Sequence, residues 1–420
     1  MRILAVCQHY KPEPFNVSEM CEGLVGRGHE VTILTALPNY PEGVIPEEYR
    51  HGRHRDEVSD GVRVVRVPVA ARGRNLKGLN KLRRVANYVS FPLAARMTSA
   101  AMDDDYDCVI CFQFSPVLMA LPALRIAKVK RVPCLIYAFD LWPEDLLTGG
   151  MSREGVPFKV MRDVSRRIYS SADLIVVTSP GFETYFADEL ELPRARIAWL
   201  PQFAEDTFAG VPRVEPKTLD EVVFTFAGNI GGNQSVETVV EAAALLKSDS
   251  RIRIKIAGSG SRLEDCKALA RGLGISNVEF LGRLPLEAMP GLYTESDAML
   301  LTLAPAKNGS LVPKYTIPRK FQSYLAASRP IICAVDGTTA EIVSEYGCGV
   351  TCRAGDSQAL AEAMSVFASY SWDERQKLSA KAAALYQARF SRERCLKSLE
   401  ELLNELVKEG SKIDVIHHSI

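Results

Sequence analysis

Short continuous apolar runs alternate with helical patterns along nearly the whole chain, and that alternation leaves little choice of fold. The first series occupies 2–7, 31–36, 62–69, 108–112, 134–138 and 174–178, with a helical stretch to about Arg27 after the opening run. Strands that are apolar throughout need cover on both faces, so the reading is a parallel sheet between layers of helices. A second series follows at 222–227, 252–257, 278–281, 298–303, 331–335 and 349–352. Between the two, Gly210, Pro212 and Pro216 stand among mixed charges as a linker does. The expectation is an α/β chain of two doubly wound domains, 1–205 and 206–389, with helices from about 390 to 420 packing back on the first. A length of 420 residues also exceeds a single core.

Ten cysteines are scattered without metal-ligand spacing, and the one close pair, Cys108 and Cys111, falls inside an apolar strand that sends the two thiols to opposite faces. They read as core residues of a protein from a reducing cytosol. The first apolar run is too short for a signal peptide, and no run of about 18 apolar residues offers a membrane span. Net charge is zero, yet 61–102 holds nine Lys or Arg residues and no acid. Arg125, Lys128, Lys130 and Arg131 follow. Such a block points to an anionic surface, a membrane leaflet ahead of nucleic acid because stacking aromatics are sparse, or is simply a solvated basic helix.

In open parallel sheets ligands lie beyond the carboxyl ends of the strands, so two such domains place a site in the cleft between them and direct attention to the loops after strands. The loop after the first strand, His9-Tyr-Lys-Pro-Glu-Pro-Phe-Asn16, has no dinucleotide fingerprint; His9 and Asn16 are candidates for meeting a substrate, or His9 merely ends a strand. In Tyr137-Ala-Phe-Asp-Leu-Trp-Pro-Glu144, Asp140 is placed to accept a proton or a sugar hydroxyl, with Glu144 one turn on; the alternative for Asp140 is an N-cap. Phe226-Ala-Gly-Asn-Ile-Gly-Gly-Asn-Gln-Ser235 is a glycine-rich strand-to-helix turn that allows close backbone approach by an anion. Finally, Lys314-Tyr-Thr-Ile-Pro-Arg-Lys320 opens a helix whose unpaired N–H groups, with Arg319 and Lys320, make a diphosphate seat.

In order along the chain, the Gly26 to Val31 element, Pro38-Asn-Tyr-Pro-Glu-Gly43, Asp140-Leu-Trp-Pro-Glu144, Ala227-Gly-Asn-Ile-Gly231 with Gln234, Ile317-Pro-Arg-Lys320 with Ser323-Tyr-Leu-Ala-Ala327, and Arg329-Pro-Ile331 resemble the GT-B glycosyltransferases of family 4. The likeness covers nearly the whole chain and is strongest to the bacterial branch of colanic acid and O-antigen enzymes, such as the N-acetyl-L-fucosamine transferases. It implies two Rossmann-like domains, the first binding acceptor and the second a nucleotide-diphosphate sugar. It also implies retaining transfer, without a required metal or other cofactor, of an N-acetylated or deoxy hexose from a donor expected to be UDP-linked. The acceptor implied is a polyprenyl-diphosphate-linked saccharide in capsule, O-antigen or exopolysaccharide synthesis, at the inner face of the cytoplasmic membrane. Donor contacts are then expected from Gly228, Asn229, Gly231, Gln234, Arg283, Lys314, Arg319, Lys320, Ser323 and Glu341, and a membrane-facing set from Arg72, Arg74, Lys77, Lys81, Arg83 and Arg84.

The chain departs from the wider family at several of these positions. The common Arg and Lys of the diphosphate loop fall at Asn229 and Gln234, and the pair of glutamates eight apart aligns with Tyr315 and Ser323. Lys320, helped by Arg319 or Lys314, is expected to supply the missing charge. A first-domain histidine expected near Gln113 to Pro116 is also absent, which leaves Asp140 as the catalytic candidate of that domain. Two other readings share the fold: a nucleotide-sugar 2-epimerase, and a non-catalytic scaffold derived from a transferase.

Overall fold

The computed structural model describes residues 1–73, 80–99, 102, 104–211 and 221–409. Of these, the residues in Met1–Thr178, Phe182–Leu200 and 396–409 form one unit, and those in Ser179–Gly181 and Pro201–Cys395 form the other. Pro212 and Pro216 of the expected linker lie outside the described residues.

The first unit is built on eight strands: β1 (Arg2–Val6), β2 (Glu30–Ala36), β3 (Asp56–Ser59), β4 (Val62–Val67), β5 (Cys108–Gln113), β6 (Cys134–Ala138), β7 (Leu174–Val177) and β8 (Ile197–Trp199). Their order is β3-β4-β2-β1-β5-β6-β7-β8. All neighbours are parallel except the edge hairpin of β3 and β4. Central β5 is buried along its whole length, as its apolar run from Cys108 to Phe112 requires, and polar Gln113 at its end is buried too. Helix Val17–Gly26 stops at Arg27 because Gly28 takes φ +87°. Gly28 N–H then bonds Val25 O at 2.9 Å and His29 N–H bonds Leu24 O at 3.2 Å, closing the last turn.

The second unit carries β9 (Val222–Ala227), β10 (Ile252–Ala257), β11 (Val278–Gly282), β12 (Ala298–Thr302), β13 (Ile331–Ala334) and β14 (Gly349–Cys352), all parallel in the order β11-β10-β9-β12-β13-β14. Helices Val236–Leu245 and Ser357–Ala368 close one core, where Phe224, Val239, Leu360 and Phe367 are all fully buried. Two strands are absent from the sequence reading, β3 and β8. β3 is a polar edge strand with no fully buried residue, and β8 is only three residues long, too short to show a period. No helix among the described residues is long and apolar enough to cross a membrane.

Nine of the ten cysteines are buried, and burial pushes up the thiols of Cys108 and Cys111. That leaves them protonated and inert.

Candidate functional site

In the second unit the loops after β9 and β10 lie backbone on backbone. Gly228 N–H donates to Ala257 O at 2.9 Å, Ile230 N–H to Ser259 O at 2.8 Å, and Gly258 N–H to Gly282 O at 2.7 Å. The approach needs glycine: a Cβ on Gly258, at φ +150°, would sit 1.8 Å from Gly228 O. Over these loops opens a hollow of about 270 Å³ lined by Gly228, Asn229, Gly258, Ser259, Arg283 and Leu284.

Lys320 enters from the first turn of helix Arg319–Ala326. Its stem passes so close to Gly228 that a Cβ there would meet Lys320 Cδ at 2.9 Å. Its ammonium lies 4.4 Å from the centroid of the Phe226 ring and bonds Gln234 Oε1. Gln234 is fixed in turn through its carbonyl, which accepts from the Thr302 hydroxyl at 2.5 Å. Burial lowers the ammonium to about 7, so it is a strong donor without a fixed full charge. Asn229 folds over Gly231, where a Cβ would be 2.7 Å from Nδ2.

The remaining expected donor residues are placed differently. Arg319 is not a helper of Lys320: its guanidinium is 2.7 Å from Glu205 Oε1. Lys314 is exposed, with its ammonium over the Tyr315 ring at 5.4 Å. Ser323 is buried, its hydroxyl turned to Arg319 O of its own helix at 3.5 Å. Glu341 is exposed in the first turn of helix Thr338–Tyr346. Of the expected donor set, the fold thus gathers Gly228, Asn229, Gly231, Gln234, Arg283 and Lys320.

In the first unit a second cluster forms beyond the carboxyl ends of β1, β2, β4, β5 and β6. His9, buried after β1, stacks on Phe15 with ring centroids 4.5 Å apart. Its Nδ1 is 2.6 Å from Glu13 Oε2, while Glu13 Oε1 accepts from the N–H groups of Asn39 and Tyr40, each at 2.7 Å. An ionised carboxylate can only accept, so Nδ1 carries hydrogen and Nε2 is left as the acceptor. Arg72 brings Nη2 to 3.4 Å from Nε2, bonds Asn87 Oδ1 at 3.3 Å and lies over the Tyr40 ring at 5.4 Å. Asn16 is buried at the start of helix Val17–Gly26, its carbonyl accepting from Met20 N–H at 3.1 Å.

Asp140, two residues past β6, accepts from Ser115 N–H at 2.7 Å, and the Ser115 hydroxyl donates to Asp145 Oδ2 at 2.8 Å. Burial pushes the Asp140 carboxyl up, opposed by the Ser115 bonds and, when its ring is protonated, by His9. Burial and then the neighbouring Asp140 push Asp145 up to about 8. Asp145 therefore keeps its proton near neutral pH, joined to Asp140 through Ser115. Phe114 and Phe139, stacked with centroids 4.7 Å apart, wall this cluster on one side, with Phe114 edge-on to His9.

Two expectations need correction here. Glu144 is fully buried and accepts from Arg153 Nη2 at 2.7 Å, so its carboxylate faces an interior ion pair; Asp145, one residue on, is the second carboxyl of the cluster. Arg72 is not a membrane-facing cation, because its guanidinium is turned inward to His9 and Asn87. Of the others in that set, Arg83 and Arg84 are exposed, Arg84 bonding Tyr88 Oη at 2.7 Å. Arg74 and Lys77 lie outside the described residues, as does the side chain of Lys81. Glu13 and Asp145 were not singled out from sequence; Glu13 had one signal, its place four residues after His9.

Comparison with known proteins identifies the family. Residues 16–202 match the glycosyl transferase 4-like domain and residues 211–385 match the glycosyl transferases group 1 domain, most of the chain between them. The chain belongs to glycosyltransferase family 4. It is 27% identical over 285 residues to the probable glycosyltransferase WbjE of Pseudomonas aeruginosa, covering 65% of this chain and 68% of that protein. It is 26% identical over 366 residues to the putative colanic acid biosynthesis glycosyl transferase WcaI of Escherichia coli K12, covering 83% and 85%. Among solved structures, Anabaena HepE in complex with UDP superposes with a TM-score of 0.68 at 14% identity, covering 97% of this chain and all of that one. The fold is therefore that of a GT-B glycosyltransferase, with both of its parallel-sheet domains present.

Proposed function

We propose that this glycosyltransferase moves an N-acetylated or deoxy hexose, with retention, from a UDP-linked donor to a lipid-diphosphate-linked glycan during assembly of a bacterial surface polysaccharide. One observation carries the donor half of the reading: Lys320 held against Gly228, Phe226 and Gln234, beside a hollow edged by Arg283. A diphosphate gains charge as its bond to the sugar breaks, and a donor already desolvated in place stabilises that charge without reorganisation. Glycine-rich backbone at the strand ends and the start of helix Val236–Leu245 add N–H groups to the same end. Transfer is accordingly expected to persist in EDTA.

In the first unit, His9 Nε2 and the Asp140–Asp145 pair are the groups able to take or hold the proton of an acceptor hydroxyl. The likeness to WcaI and WbjE supports the polysaccharide setting, and the likeness to UDP-bound HepE supports UDP; the lipid carrier and the inner membrane leaflet are part of the same proposal.

Thermal unfolding against UDP, GDP, TDP and CDP, with Mg²⁺ and with EDTA, tests the donor assignment. Ligand at a hundred times Kd stabilises by about 2.7 kcal/mol. The expected result is a shift with UDP that EDTA leaves intact and Lys320→Ala removes. A shift with none of the four would instead favour the scaffold reading.

A further inference from the structure

Helix Asn80–Ser99 has one face buried through Asn87, Phe91 and Ala95. On the opposite face, Leu82, Val85, Val89, Leu93 and Met97 recur at spacings of three and four and are 70%, 57%, 42%, 58% and 78% exposed. At 3.6 residues per turn these five form one continuous stripe turned away from the domain. A soluble surface does not ordinarily carry an apolar stripe of this length.

The stripe runs into a groove of about 910 Å³ between this helix and helix Leu121–Lys130. Its walls include Leu93 and Leu121 and four cations, Arg96, Arg125, Lys128 and Arg131. The one acid in the lining, Asp173, is taken up by Cys134 N–H at 2.8 Å. Arg125, Lys128 and Arg131 have no ion-pair partner among the described residues. Arg131 even occupies the left-handed position that ends its helix, φ +59°, where glycine is the less strained choice.

We propose that this groove holds the phosphate headgroup of an anionic phospholipid, with the exposed stripe of helix Asn80–Ser99 entering the acyl region of the same leaflet. Four cations around a hollow otherwise lined mostly by apolar residues complement a group that is anionic at one end and apolar at the other. A nucleic acid has no use for the stripe, and a second copy of this chain has no use for Arg125, Lys128 and Arg131 left without acids. The inference rests on the proposed use of a lipid-linked acceptor and moves the membrane-facing residues from Arg72 to Arg84 to the groove. It makes docking a matter of both charge and insertion, so salt alone does not release the protein completely.

The test is flotation of the full chain with vesicles of phosphatidylcholine alone or with one-third phosphatidylglycerol, at low and high salt. Wild type is expected to float only with the anionic vesicles, and to be partly retained at high salt. Each cation near an anionic surface contributes about 1 kcal/mol, so Arg125→Ser with Lys128→Ser should weaken partitioning about thirtyfold. Leu93→Asp should abolish it, while Arg84→Ser changes it little. Each variant is checked for an unchanged UDP thermal shift, which shows that it is folded and separates failure of this inference from failure of the donor assignment. Equal binding by the double variant, equal binding to neutral vesicles, or no binding at all would overturn the inference. So would a wild-type dimer in light scattering that Leu93→Asp dissociates while vesicle binding stays the same.

Discussion

Burial holds the Lys320 ammonium at about 7, so its charge depends on what occupies the space before it. The folded free protein binds fewer protons here than the unfolded chain between pH 7 and the ordinary 10.5, and this lysine's contribution to stability rises with pH across that window. A bound diphosphate reverses the preference and draws a proton in. UDP binding is therefore expected to take up a proton at pH 8 and to weaken as pH rises above 7; calorimetry in buffers of different ionisation enthalpy measures both, and Lys320→Met should lose both. Lys320→Ala should lower kcat about a hundred- to a thousandfold, as loss of one charge-stabilising donor does. Asp145 runs the other way. The folded state keeps a proton that the unfolded chain has given up between the ordinary 3.8 and about 8, so stability from this site is full below pH 4 and is lost as pH rises through 8. Asp145→Asn should flatten that decline in Tm against pH, and a slope equal to wild type would mean that Asp145 is not protonated in the fold. Sequence pointed to Lys320 because a cation in the first turn of a helix after proline has an evident use. It did not point to Asp145 and gave Arg72 a membrane-facing role, since a run such as Glu144-Asp145 does not say which carboxyl turns inward, and a basic block does not say which arginine finds an aromatic partner.

At the scale of elements, the donor end depends on two loops that share backbone space. A side chain at Gly258 meets the Gly228 carbonyl, which cannot swing aside, whereas one at Gly228 meets only the flexible stem of Lys320. Gly258→Ala should therefore cost about 1–3 kcal/mol of second-unit stability. At about 2–4 °C per kcal/mol that is a visible loss of Tm. Gly228→Ala should unfold later than Gly258→Ala yet bind UDP more weakly than wild type, because it displaces the ammonium. Equal melting of the two would mean the loops are not packed as described. The strands feeding these loops were legible because their buried positions carry Val, Phe and Ile, even where Arg253 and Lys255 of β10 come between; all twelve strand-like runs became strands. β3 was not, because an edge strand with exposed Asp56 and half-exposed Glu57 owes its place to pairing with β4 rather than to burial. Pairing partners are a property of the register, which no local pattern records.

Over the whole molecule, the chain leaves the first unit after Leu200 and rejoins it at Leu396, so the last helix completes a core whose other members were laid down at the start. Helix Arg392–Glu409 buries Leu396, Leu399, Leu403 and Leu406, and the first helix meets it with a glycine: a Cβ on Gly23 would stand 2.5 Å from Leu396 Cδ1. Glu400 adds an ion pair to Arg27 at 3.4 Å and reaches His29 Nε2 at 3.0 Å. Part of this was readable, since the leucine spacing of the final helix marks one apolar face; the glycine at the crossing was not, because a helical glycine carries no sign of what lies against it. Leu399→Ala should cost about 2–5 kcal/mol, as a cavity in a closed core does. The loss belongs to the first unit alone. Hydrogen exchange should speed up in β1 and in helix Val17–Gly26 while β9 and β10 keep their protection, and the UDP-induced shift should survive. If exchange rose equally in both units, the last helix would be holding the two sheets as one cooperative body and the division at Leu200 and Leu396 would not be thermodynamic.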